Sequence, residues 1–253
     1  MENQKVYLCE DTIEGIFTAI YDAWADRVAE AQLSIQCRES YVPRLFTDVI
    51  EVETDAGKAV KVMRSVKAKL GWKVYDMMYH AALSCEEDKI DAIYSFLKKG
   101  FKVGAGVADM HGEAVVCRMF DLQRGVKNEA HFFREFLRFH ETKQGVLIAR
   151  IKPKNQVISF MTEHFSDRFP DERFVILDEV HFVASFHTGG KEWFLRKLSL
   201  EELEHIWALR GKADYEDLWR TFFNTIAIEE RKNPKCQRNM CAYRYRDYMV
   251  EFH

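Results

Sequence analysis

The spacing of apolar residues changes at Gly145, and no other feature constrains the fold of this chain as much. Before it, apolar side chains recur every three to four residues over long stretches, the mark of helices buried along one face. After it come short runs dense in Val, Ile and Phe: VLIARI (146–151), FVILD (174–178), HFVASFH (181–187) and EWFLRKL (192–198). The last three are joined by tight connections, which predicts an antiparallel meander. Helices grouped around one late sheet give an α+β class, mainly helical, with a small antiparallel sheet formed largely by residues 146–198.

The helical part can be read more finely. A short strand at 6–8 precedes Asp11 and Thr12, two capping candidates, and Glu14 follows Asp11 by three residues. Ile13, Phe17, Ile20, Tyr21 and Trp24 then repeat at helical spacing. Val74, Met77, Met78 and Ala81 share one predicted face, and Ile90, Ile93, Phe96 and Leu97 another. Residues 112–141 continue as helix, with Phe132, Phe133, Phe136 and Phe139 around Arg134 and Arg138. Beyond 146–151, ended by Pro153, residues 157–169 form a further helix. Residues 199–209 and 215–230 form two more, the first opened by a Ser199/Glu202 capping box. Pro234 is expected to break the pattern. With no Gly/Ser-rich linker and no repeat, the 253 residues are expected to form a single compact domain, with an internal boundary near 112–145 as the alternative.

Bulk properties narrow the function classes. No apolar run approaches the ~18 residues of a membrane span, and the opening MENQKVYLCED has neither the basic nor the apolar segment of a secretory signal. Six scattered cysteines read as reduced thiols in a cytoplasmic protein. The GxG at Gly104–Gly106 follows no strand and lacks a third glycine, and no Walker-type loop occurs, so no cofactor is expected.

Charge is unevenly placed. The first sixty residues hold five Lys/Arg against twelve Asp/Glu, whereas residues 231–248 hold six cations against one anion, in a chain of formal net charge −3. Arg231, Lys232, Lys235, Arg238, Arg244 and Arg246 alternate there with Tyr243, Tyr245 and Tyr248. Cations release counterions from phosphates, and aromatic faces stack on unpaired bases. The nucleic-acid-binding set read from this segment is Arg231, Lys232, Lys235, Arg238, Tyr243, Arg244, Tyr245 and Arg246. The rival reading pairs these arginines with carboxylates of the acidic half or with a protein partner.

Other candidates are sparser. Glu179 and His181 share a face if their segment is extended, which makes them the candidate acid–base pair; His181 and His187 would lie roughly 20 Å apart, too far to share a metal. Cys236 and Cys241 have no nearby histidine to complete a zinc site, and no metal is expected. Arg134, Arg138 and Arg168 are candidate anion ligands, with a structural bridge to Asp178 or Glu163 as the alternative for Arg138. His131 and Glu135 form an i, i+4 pair.

Several of these stretches also carry a resemblance: YLCEDTIEGIFTAIYDAW (7–24), EAHFFREFLRF (129–139), ARIKPKNQVISFMTEHFSDRF (149–169), FVILD (174–178), and LWRTFFNTI with ERKNPKCQRNMCAYRY (218–245). Together they resemble a bacterial family assigned to DNA metabolism and DNA repair, encoded beside a radical-SAM protein. A related domain is fused to members of the uracil-DNA glycosylase superfamily. Fused relatives often end their last motif in Tyr-Trp; here it is Tyr243-Arg244-Tyr245, so a tryptophan-stacking role is not carried over. The resemblance implies an accessory in DNA repair or modification, with single-stranded or distorted DNA and a radical-SAM protein as partners. It implies no settled reaction. The alternatives are an enzyme acting on a nucleobase or nucleotide, by glycosylase-like or hydrolytic chemistry, and a purely protein-binding partner.

Overall fold

A computed structural model describes residues 4–28, 32–190, 192–211, 214–231, 233–249 and 252. The fold is α+β, built from helices and two small sheets. The chain divides into two compact units, residues 1–127 and 128–253.

In the first unit, strand β1 (Gln4–Cys9) lies at the centre of a three-stranded parallel sheet, between β2 (Leu33–Cys37) and β3 (Thr47–Glu51). Tyr7 stands opposite Ile35 on one side and Ile50 on the other. Helix α1 (Ile13–Ala25) makes the crossover from β1 to β2 that a parallel pair requires. Thr12 is its N-cap, its hydroxyl accepting from the Gly15 amide at 3.0 Å. A Cβ at Gly15 would stand 2.6 Å from the Glu10 carbonyl oxygen, so this close approach requires glycine. Helices α2 (Ala56–Ala82) and α3 (Lys89–Val103) complete the unit, and both predicted apolar faces are buried in its core. The α2 helix is kinked at Gly71, whose φ of 85° and ψ of 175° lie outside the range of L side chains.

Strands β2 and β3 were not expected from the sequence. The TDVIE run of β3 is half polar and largely exposed, an edge strand whose weak alternation resembles a loop.

Helix α4 (Ala114–Phe136) contains the division between the units. The second unit carries a five-stranded sheet in the order β4-β5-β6-β7-β8: His140–Glu141, Leu147–Ile151, Arg173–Asp178, Val183–Thr188 and Trp193–Lys197. The predicted meander β6-β7-β8 is antiparallel. One correction concerns β5, which runs parallel to β6, Leu147 opposite Phe174, because α5 (Ile158–Arg168) supplies a crossover between them. The sheet is therefore mixed. Ile148, Leu177 and Ala184 pack with Leu198 and Leu203 beneath α6 (Leu200–Ala208), whose capping box has both of its hydrogen bonds.

Strand β7 starts at Val183, two residues later than predicted. The buried Asp178 carboxylate accepts from the amides of Val180 and His181, both at 3.0 Å, and folds them into a turn. Helix α7 (Asp214–Ile226) is followed by α8 (Pro234–Met240) and α9 (Tyr243–Arg246). Pro234 opens α8 instead of ending a helix. Its missing N–H costs nothing in the first turn, and Asn233 caps the helix by accepting from the Cys236 amide.

Candidate anion-binding pocket

One pocket of the second unit is built from two pairs of residues spaced i, i+4, at the ends of two helices. Arg134 and Arg138 lie at and just beyond the end of α4; His164 and Arg168 lie in the last half of α5. Spacing of four residues puts His164 and Arg168 on one stripe of α5, while Arg138 follows Arg134 in the segment that leaves α4. Packing brings the two pairs together around a cavity of about 480 Å³. Phe139, Phe165 and Phe169 line it, with Phe139 edge-to-face on Phe165 at 4.9 Å and Phe165 stacked parallel to Phe169 at 6.1 Å.

The guanidinium groups of the pocket differ in their contacts. Arg134 donates from Nη2 to the Phe160 carbonyl at 3.2 Å, while its buried Nε meets no hydrogen-bond partner among the described residues. Arg138 donates from Nη1 to the carbonyls of Glu135 and Leu137 at 3.0 and 3.2 Å. The Arg168 guanidinium lies 5.6 Å from the Phe169 ring centre. Glu135 is the carboxylate of the lining, and it meets His131 at 3.1 Å.

Part of this arrangement is structural, since cations at helix C-termini complement the helix dipole. His164 registers the remainder. Its pKa is held below the ordinary 6.5, first by burial and then by the positive charges of Arg134 and Arg168. Guanidinium groups against an apolar wall can hold a phosphate or carboxylate by charge-assisted hydrogen bonds. His164 was not among the residues singled out as a ligand; its spacing of four from Arg168 was the available signal.

The basic C-terminal segment divides into two classes. Arg231, Lys235 and Arg238 are exposed, the last two on α8, which buries no residue. Tyr243 is 64% exposed, and Arg246 stacks over it at 4.5 Å and over Phe252 at 4.7 Å. Lys232 lies outside the described residues. One assignment is corrected, and Arg244, although exposed, is already engaged within the fold. Tyr245 is only 3% exposed, wedged against Phe132, Phe133 and Phe136 at 5.2, 5.1 and 6.0 Å, so its ring cannot stack on a base. Arg244 donates to the buried Glu129 carboxylate and to the Tyr245 hydroxyl. Glu129 also accepts from the Lys154 and Asn155 amides at 3.0 and 2.7 Å, which makes the Arg244 contact a pin between α9, α4 and the β5–α5 loop.

The two residues proposed for acid–base chemistry each meet other groups. Glu179 meets Lys152 at 2.9 Å and Arg150 at 3.5 Å, whereas His181 Nδ1 meets Asp178 at 2.7 Å. His187 is buried, and its ring nitrogens reach the Glu172 and Gly190 carbonyls at 2.7 and 2.6 Å, fastening a strand end to its flanking loops. Cys236 is exposed, while Cys241 is buried with its Sγ 3.6 Å from Met249 Sδ. Among the described residues no group of three or more His, Cys, Asp or Glu could hold a metal ion, and no helix is long and apolar enough to cross a membrane.

No curated protein matches the chain. The family model described as a domain of unknown function, DUF4130, matches residues 87–251, which takes in the whole second unit apart from its last two residues. With well over half of its length matched, the chain belongs to the DUF4130 family.

Proposed function

We propose that this protein is a nucleic-acid-binding accessory of DNA repair or modification, and that its second unit holds the phosphate backbone of single-stranded or distorted DNA. The observation that carries the reading is the convergence of Arg134, Arg138 and Arg168 on one pocket beside His164. The exposed Arg231, Lys235, Arg238 and Tyr243 supply a further cationic and aromatic surface. A radical-SAM enzyme as working partner rests on the resemblance of the sequence motifs alone.

The test is binding of fluorescent oligo(dT) across a salt series. Wild type is expected to bind with affinity that falls steeply with ionic strength, by roughly 0.7 logarithmic units per phosphate contact for each tenfold rise in salt on a single strand. Changing the exposed Arg168 to Ala, alone and with Arg134→Ala, should weaken binding about tenfold or more and flatten the salt slope. Unchanged affinity and slope in the folded Arg168→Ala and double variants would refute the reading.

One observation favours a second reading, a protein-docking partner. Leu218, Trp219, Phe222 and Ile226 fall within one face of α7, and all four are exposed. Under that reading the protein copurifies with a radical-SAM enzyme while showing no affinity for DNA, and Phe222→Glu abolishes the copurification.

A further inference from the structure

The first unit has a cavity of its own, of about 560 Å³, between the end of α1, the first half of α2 and the end of α3. Ile20 and Leu97, both buried, belong to its floor. Three aromatic residues, Tyr21, Trp24 and Phe101, form its walls. Trp24 remains 40% exposed although it is held edge-to-face against Phe101 at 5.2 Å and Tyr94 at 6.0 Å. The cavity opens to solvent, and a concave cleft lined by aromatic rings with a few polar groups at its rim is the form that small-molecule sites take.

The rim is cationic. Lys61 stands 5.6 Å from the Tyr21 ring centre and Lys69 5.8 Å from that of Phe101. Both are exposed, and among the described residues neither forms an ion pair. The neighbouring Lys58 differs, because Asp22 holds it at 2.7 and 2.9 Å. Among the described residues the lining contains no carboxylate. A ligand matching these walls has a flat aromatic body and an anionic end one side-chain length away.

We propose that this cavity binds an unpaired nucleobase together with its phosphate, the base against Trp24 and Tyr21 and the phosphate between Lys61 and Lys69. Base–aromatic stacking is indifferent to base identity, and lysine meets a phosphate as a point charge. The inference rests on the nucleic-acid reading only for the source of the ligand, a strand or a free nucleotide. The site is separate in sequence from the arginine pocket, and most of its lining precedes residue 87, where the family match begins.

The full-length protein is titrated with dTMP, thymidine, inorganic phosphate and oligo(dT), with tryptophan fluorescence as the signal. Trp24→Phe keeps the packing and identifies the part of the signal that Trp24 reports. Saturable, Trp24-dependent quenching is expected from dTMP, from oligo(dT), or from both; dTMP alone marks a free nucleotide as the ligand, and oligo(dT) alone marks a strand. Inorganic phosphate is expected to leave the signal unchanged. Lys61→Gln with Lys69→Gln, two exposed positions, should weaken dTMP or oligo(dT) about tenfold and abolish the advantage of dTMP over thymidine. Absence of Trp24-dependent quenching by both dTMP and oligo(dT), or quenching that the lysine pair does not affect, would overturn the proposal. Arg168→Ala separates the two readings: it is expected to reduce oligo(dT) affinity while leaving dTMP quenching intact.

Discussion

At the scale of single residues, the backbone at Gly71 makes the clearest demand. Its φ of 85° with ψ of 175° is reached almost solely by glycine, although a Cβ there would meet nothing within 4 Å. Gly71→Ala should therefore destabilise the protein by about 1–3 kcal/mol through conformation alone. Urea unfolding of the variant measures the loss, and a variant as stable as wild type would contradict the assigned kink. Arg244 and Tyr245 carry a different lesson. Alternation of arginine with tyrosine is the composition of a stacking surface, yet Tyr245 fills a niche between three phenylalanines and Arg244 neutralises Glu129. Composition states what a side chain can do, and only the partner across the fold decides which capacity is used.

At the scale of elements, local signals were legible and pairings were less so. The Ser199/Glu202 capping box forms as its spacing requires, with the Ser199 amide 2.8 Å from Glu202 Oε2 and the Glu202 amide 3.2 Å from Ser199 Oγ. Ser199→Ala should cost about 1 kcal/mol, read as a lowered melting temperature by circular dichroism. The buried faces of α2 and α3 followed the 3.6-residue period because they pack on one core. Strand direction was not legible for β5, since an apolar run has the same pattern in parallel and antiparallel pairs. The α5 crossover, which is itself visible in sequence, fixes the choice. The arginine pocket was half legible. The spacing of Arg134 with Arg138 could be read in sequence, but their meeting with Arg168 is a tertiary fact, and His164 entered the site only through it.

At the scale of the whole molecule, charge and burial set the response to pH. The pKa of His80, in α2, is lowered from 6.5 chiefly by burial, against the opposing influence of Asp76. The unfolded chain therefore takes up this proton first as pH falls. Stability should be full above about 6.5 and decline as pH drops toward the lower folded-state value, with His164 acting in the same direction. Urea midpoints measured above and below that value should show the decline, and His80→Gln should flatten it; an equal decline in the variant would assign the effect elsewhere. The central claim, that phosphate occupies the pocket of Arg134, Arg138 and Arg168, is tested most directly by NMR titration of the His164 ring with and without saturating oligo(dT). The account predicts a midpoint below 6.5 in the protein alone and a clear upward displacement on binding, as a phosphate offsets the two guanidinium charges. An unchanged midpoint at saturation would contradict it.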